Sequence, residues 1–278
     1  MLHRRGPAAL SDWPFALAYR SKVMFWRYRS ALRTLVSRDL HHKYRKFRIG
    51  YLWAILEPLG MSVTMWFVFE VLLGGRRIGA QPYFLFLTVA ILPWWWFTSG
   101  IAASTRVFLG PNRVMKVSQL PTNFPVARIM VAKLADFALS LPLVVAAMVI
   151  TWTFPGPLII FFFLAIAVQF VLMYGLALLV ASVAAVIPDF ARIVRIALRA
   201  GFYLTPVLYS LSNIPSGALL VSHANPLVGI LGLYRVGWWP EEHATMSGTL
   251  ISAAIIVILV GAGLLCFRLL EPRILKEA

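Results

Sequence analysis

Residues Lys43–Pro58 read KYRKFRIGYLWAILEP, and the change of character halfway along that stretch decides the fold class. Four cations, Lys43, Arg45, Lys46 and Arg48, fall within six consecutive positions and run straight into an apolar segment. Arg and Lys are costly in hydrocarbon, so such a cluster stops at headgroup depth on one side of a membrane. Anionic phospholipid favours the cytoplasmic side. Glu57 then places a carboxylate about two turns into the apolar run, and Pro58 removes a backbone donor beside it. Orientation, depth and a candidate functional site are all expected at this junction.

The composition agrees. Of the 278 residues 60% are hydrophobic and 13% charged, with mean hydropathy +0.81. A soluble domain carries about twice that share of charge, so the class is an all-α integral membrane protein. The formal charge of +16 raises nucleic acid as a partner, but position excludes it: twelve of the 26 Lys and Arg lie in the first 50 residues, and most others fall in alternate loops. That is a topology signal rather than a nucleic-acid-binding face. Cys266 is the only cysteine, so there is neither a disulfide framework nor a cysteine zinc site. Arg4, Arg5, Asp12, Arg20 and Lys22 leave no apolar core for a cleavable signal peptide in residues 1–22.

The expected division is a cytoplasmic segment, 1–50, and a membrane domain, 51–278. Pro7 and Pro14 break up the start. From Phe25 onward Phe25, Tyr28, Leu32, Leu35, Val36, Leu40, Tyr44 and Phe47 recur at steps of three and four, with Arg27, Arg29, Arg33 and Arg38 largely off the stripe. Such a helix either lies in the membrane interface or packs on a partner. Six apolar segments follow, near Leu52–Leu73, Tyr83–Phe108, Val126–Trp152, Leu158–Val186, Val194–Leu211 and Thr249–Leu270. About 20 helical residues cross a ~30 Å core. The fifth segment is marginal in length, and Gly201 and Pro206 mark it as bent or partly unwound. Loop cations gather at the N-terminus, 109–125, 187–193 and the C-terminus, whereas the opposite side holds only Arg76, Arg77 and Arg235, offset by Glu241 and Glu242. Both termini are therefore expected in the cytoplasm. In the loop Ser212–Ser247, Pro215–Val221 and Pro226–Val236 are too short to span and read as two half-length helices dipping in from the outer face.

No GxxxxGK[ST] pattern occurs, so no P-loop is present, and no Ser, His and acid set or metal cluster can be identified. The ionisable residues expected within the membrane are Glu57, Glu70, Arg106, Lys133, Asp136 and Arg199. Each would cost ~3 kcal/mol at mid-bilayer, which argues against exposure to lipid. Lys133 and Asp136 are spaced to pair on one helix; Glu70, Arg106 and Arg199 lie near helix ends, where side chains snorkel. Glu57 either meets a basic neighbour from another segment or lines an entrance. Trp94, Trp95 and Trp96 stand too deep for an interfacial belt, and three successive helical positions span 200°, so at least one ring points into the bundle. They either stack on a passing sugar or pack helices. In Gly110–Pro125 (GPNRVMKVSQLPTNFP), Asn112 caps a short helix, Pro121 ends it, and Arg113 and Lys116 keep it polar enough to face a protein. Asp189 is expected to cap the fifth segment ahead of Arg192 and Arg195.

KFRIGYLWAILEP closely resembles the start of the first membrane helix in bacterial capsular polysaccharide exporters, the membrane subunits of ABC-2 type ATP-binding-cassette exporters; Asn225–Val228 (NPLV) and the helix layout extend the likeness. The resemblance implies a homodimer with two separate ATPase subunits that hold ATP and Mg, a path between protomers, and a lipid-linked acidic glycan as cargo. It further implies export across the inner membrane of a Gram-negative bacterium, with a periplasmic adaptor and an outer-membrane channel as further partners. Lys43, Arg45, Lys46, Arg48, Tyr51, Trp53 and Glu57 are then the candidate substrate entrance, and Trp94–Trp96 the candidate path. Asn112, Arg113, Val114, Met115, Lys116 and Gln119 look like a coupling helix receiving motion from the ATPase. The same machine could carry O-antigen, teichoic acid or a hydrophobic small molecule. A secondary transporter would want coupling carboxylates near mid-bilayer, where only Asp136 stands, and Lys133 can neutralise it. A membrane-embedded enzyme would need a cluster of acids or histidines at one surface, which the chain lacks.

Overall fold

The computed structural model describes residues 28–45, 48–74, 78–109, 120–215, 222, 224–242 and 246–277. Among these the chain is helical, with no strand. The basic amphipathic segment forms α1 (Arg29–Tyr44), and a turn leads through a short 3₁₀ stretch, Gly50–Leu52, into α2 (Trp53–Trp66). Gly50 has φ +49°, a left-handed conformation that glycine adopts at little cost. That turn lets the chain leave the α1 direction and enter the apolar run. α2 continues as a π-helical stretch to Leu72. There follow α3 (Tyr83–Ser104), α4 (Phe124–Ser140), α5 (Pro142–Thr151), α6 (Ile160–Val186), α7 (Phe190–Leu204), α8 (Pro226–Arg235) and α9 (Met246–Glu277).

Among the described residues five helical runs are long and apolar enough to cross a membrane: Gly50–Leu72, Tyr83–Ser104, Phe124–Thr151, Pro157–Val186 and Met246–Leu275. They match five of the six expected segments to within a few residues. The second ends earlier than expected, with Thr105–Leu109 in turns. The third is two helices in line, because Pro142 opens a new first turn after Leu141. Val194–Leu211 departs furthest from expectation. Its helix, α7, begins at Phe190 and stops at Leu204, where Thr205 turns extended. Arg192, Arg195 and Arg199 recur at steps of three and four, making α7 amphipathic rather than uniformly apolar. Asp189 precedes it without capping a backbone N–H; its carboxylate lies 3.7 Å from Arg192 on the surface instead.

α3 is the central element, with Leu85, Phe86, Leu87, Val89, Ala90 and Ile91 essentially inaccessible. α9 packs along α6, and the two backbones meet where Gly175 faces Val260 and Gly263. A Cβ on Gly263 would overlap the carbonyl oxygen of Gly175, so the pair is a small-residue contact of the kind membrane helices use. Of the two expected half-helices, the second appears as α8. Asn225 caps it, its side-chain oxygen accepting the Leu227 N–H at 3.0 Å, and Pro226 stands at the first helical position, which gives the NPLV motif its local reason. Of the first, only Pro215 lies within the described residues.

Candidate functional site

α1 packs against α4 on an apolar seam of Leu32, Val36, Phe124 and Ala127. Two polar clasps fix it there. At one end Arg128 donates to both carboxylate oxygens of Asp39, with Nε–Oδ2 at 2.6 Å. At the other, Asp136 accepts from Lys43 Nζ at 2.8 Å and from the Tyr44 hydroxyl at 2.9 Å. The expected partner of Asp136, Lys133, is present at 3.6 Å, so the i,i+3 pair forms but the closer contact comes from α1. Burial pulls the Lys43 ammonium down, yet its hydrogen bonds to Asp136 and Tyr44 outweigh this and leave it above its ordinary value.

This cluster lines a cavity of about 210 Å³ enclosed by α1, α2, α3 and α4. From α2 come Ala54, Glu57 and Pro58; from α3, Trp95, Trp96 and Ser99; from α4, Lys133, Asp136 and Phe137. Glu57 has no cation within ion-pair distance among the described residues. Pro58 has no N–H for the carbonyl of Ala54, which therefore lacks its usual helical donor. Trp96 stacks on Phe137 with ring centroids 4.6 Å apart, and its indole N–H has no acceptor. Two separate expectations from sequence, Glu57 and the tryptophan triplet, thus share one cavity with Lys43.

The three tryptophans divide. Trp94 packs on Phe97 and Phe202, its ring 3.2 Å from where a Cβ on Gly201 would lie. Trp96 is 2% exposed. Trp95 is 41% exposed and also lines a groove of about 410 Å³ whose floor is α3 and whose walls are Met61 of α2 and Arg199, Phe202 and Tyr203 of α7. Toward Arg195 the groove continues past Thr98 and Ser99. Gln169 of α6 donates to the carbonyl of Pro93 at 2.8 Å, fixing α3 just before the triplet.

Tyr51, Trp53, Arg45 and Arg48 are exposed at the α1–α2 junction, where Tyr51 meets Tyr44 at 4.9 Å between ring centroids. Lys46 and the whole expected coupling set, Asn112, Arg113, Val114, Met115, Lys116 and Gln119, lie outside the described residues. Three features had no sequence signal: the Asp39–Arg128 and Lys43–Asp136 clasps, which join residues about 90 positions apart, and the fate of Arg235. Counted from sequence among the few outer-side cations, at the end of the half-length helix Pro226–Val236, Arg235 is 1% exposed. Its Nη1 donates to the Pro206 carbonyl at 2.7 Å and its Nη2 to that of Val207 at 2.8 Å. Its guanidinium lies 3.6 Å over the Phe86 ring. The unwound chain after α7 needs donors for its carbonyls, and Arg235 supplies them.

Comparison with known proteins follows the same outline. Residues 30–238 match the family described as ABC-2 type transporter. The chain is 27% identical over 239 residues to an O-antigen export system permease protein, RfbA, of Myxococcus xanthus, covering 85% of this chain and 91% of that one. An RfbA of Klebsiella pneumoniae is 26% identical over 212 residues, covering 73% and 78%. The polysialic acid transport protein KpsM of Escherichia coli is 22% identical over 213 residues, covering 75% and 81%. With a membrane-embedded helical bundle, an amphipathic helix clasped beneath it and a family match over most of the chain, this protein belongs to the ABC-2 type transporter family.

Proposed function

We propose that the chain is the membrane subunit of an ATP-driven exporter that carries a lipid-linked polysaccharide across the bacterial inner membrane. The observation carrying this reading is the groove between α2 and α7, floored by the exposed Trp95, in a chain whose relatives are named for O-antigen and polysialic acid transport. Aromatic faces offer a passing sugar stacking without tight polar capture. A second copy of the chain closes the groove into a path, and two ATPase subunits holding ATP and Mg drive it through the 112–119 segment. Lys43, Arg45, Lys46, Arg48, Tyr51, Trp53 and Glu57 form the entrance.

Six crossings fit this reading. The cations of Arg268, Arg273 and Lys276 favour the cytoplasm for the end of α9, the side also favoured for α1. An even number of crossings is then needed, and α7 supplies the sixth. Its 15 residues rise ~22 Å, and the extended stretch behind it completes the span. α8 is the second member of the expected re-entrant pair and packs against protein rather than lipid.

Capsular polysaccharide is the cargo the α1–α2 junction resembles. O-antigen is the second reading, favoured by the higher identity to the RfbA proteins. Glycan export in cells expressing Trp95→Ala, Trp95→Phe, Trp94→Ala or Trp96→Ala tests the path. Trp95→Ala is expected to cut export about tenfold with normal accumulation, and Trp95→Phe to preserve most of it. Trp94→Ala and Trp96→Ala should act through stability instead. Normal export with Trp95→Ala would remove the groove as the path.

A further inference from the structure

Beyond α7, Thr205–Ser210 form a strap of turns and bends rather than helix. Four successive carbonyls of this strap are met by side chains from other elements. Arg235 Nη1 donates to Pro206 at 2.7 Å and more weakly to Tyr209 at 3.4 Å, and Nη2 donates to Val207 at 2.8 Å. The Tyr83 hydroxyl donates to Leu208 at 2.8 Å. Asn225, the cap of α8, donates through Nδ2 to the Thr205 hydroxyl at 2.7 Å. α8 therefore grips the strap from both of its ends. The Tyr209 hydroxyl in turn donates to the Tyr203 carbonyl at 3.3 Å, and Tyr203 walls the groove. The position of α8 and the shape of the groove beside Tyr203 are joined.

The grip leaves two opposite charges unfinished. Arg235 Nε has no partner, and neither has Glu242 Oε2, although Glu242 is only 6% exposed. Glu242 follows Arg235 by about two turns. The Trp239 N–H donates to the Arg235 carbonyl and the Glu242 N–H to that of Trp239, both at 3.0 Å. The two side chains form no ion pair, yet the carboxylate lies near enough to act on the guanidinium charge. A buried carboxylate with an unfilled oxygen is costly, and a guanidinium fork is the group that fits it. We propose that Arg235 has two seats, one on the strap carbonyls, as described, and one on Glu242 with the strap released. In the second seat Nε and one Nη donate side by side to the carboxylate, so both orphaned atoms are satisfied while Pro206 and Val207 turn to water. Each seat satisfies groups that the other leaves unpaired, which is what a two-state element requires. The exchange is a property of this chain alone; it bears on export through the reading that the groove is the path.

Val207 is inaccessible while Arg235 holds the strap, so a thiol at that position reports release. The full chain carrying Cys266→Ser and Val207→Cys is purified in detergent, and its rate of labelling by a maleimide is measured. Glu242→Gln keeps the size of the side chain and removes the charge of the second seat. It should slow labelling about tenfold, the scale of one charge-assisted hydrogen bond, with an unfolding midpoint unchanged or raised. Glu242→Asp keeps the charge and should label close to the parent rate. Tyr83→Phe deletes the donor to Leu208 and leaves Glu242 intact, so it should speed labelling. A carboxylate that merely supports the described arrangement gives the reverse sign, with Glu242→Gln lowering the midpoint and speeding labelling. Labelling of Glu242→Gln at or above the parent rate would overturn the proposal. Glycan export by the Trp95 variants is a separate readout, so the exchange and the path fail independently.

Discussion

The guanidinium of Arg235 holds the carbonyls of Pro206 and Val207 at 2.7 and 2.8 Å in a region closed to solvent. A charge so enclosed is tolerated because both terminal nitrogens donate to these carbonyls and Phe86 covers its face, while its Nε is left without a partner. Removing it orphans two buried acceptors, so Arg235→Ala should cost about 2–4 kcal/mol, read as a lower thermal unfolding midpoint in detergent and reduced accumulation. Arg235→Lys supplies a single ammonium in place of a fork and should recover only part. An unchanged midpoint for the alanine variant would show that the carbonyls find other donors. At the entrance, Arg45 and Arg48 are exposed, and each could contribute ~1 kcal/mol of plain attraction to an anionic surface. Lys keeps that attraction and loses the bidentate grip on phosphate. Export that falls in Arg48→Lys, in correctly inserted protein, is the outcome expected of recognition; full export with Lys and loss only with Gln would mean anchoring. Sequence placed Arg48 at headgroup depth beside the first span and Arg235 at the end of a short outer half-helix. It held no sign that Arg235 is drawn into the core, since that depends on carbonyls exposed about 28 residues earlier.

Elements were easier to read than their contacts. A run of about 20 apolar residues has few alternatives once no water is present to satisfy its backbone, and Gly50–Leu72, Pro157–Val186 and Met246–Leu275 follow directly from that. The stripe of α1 was visible as periodicity, but its partner was not. The structure seats it on α4 and holds it with Arg128 and Asp136, so of the two sequence readings, packing on a partner element describes its apolar seam. The Asp39–Arg128 clasp is partly exposed, and each single alanine should cost ~1 kcal/mol. It should also speed hydrogen exchange in α1, with the reversed pair, Asp39→Arg with Arg128→Asp, restoring protection. Glycines were visible too, without their reasons. Gly261 has open space where a Cβ would go, while Gly263, two positions on, meets the Gly175 backbone. Gly263→Ala should therefore separate α6 from α9 and lower the unfolding midpoint by several degrees, and Gly261→Ala should leave it unchanged or slightly raise it through helix propensity. Equal behaviour of the two would mean that the helices do not meet there.

For the molecule as a whole, the unfinished surface is informative. α7 leaves Tyr203 71% and Leu204 70% exposed, and the groove beside them is walled on two sides only. α9 is equally exposed at Ile258, 65%, but its outer face is aliphatic and continuous, as a face against lipid should be. The proposed homodimer buries the first surface and leaves the second in lipid. Cys266 is the single cysteine, so Cys266→Ser gives a clean background in which to place one thiol at a time. A second copy related by a two-fold axis brings equivalent positions near that axis together. In membranes, Tyr203→Cys in this background should be captured as a covalent dimer by a short bis-maleimide, and Ile258→Cys should remain monomeric at the same expression level. Addition of the ATPase partner and ATP should change the yield at position 203, because turning over a path between protomers must move its walls. Cross-linking at 258 and none at 203 would place the protomer contact on α9 and leave the groove facing lipid, which would remove the closed path on which export through Trp95 depends.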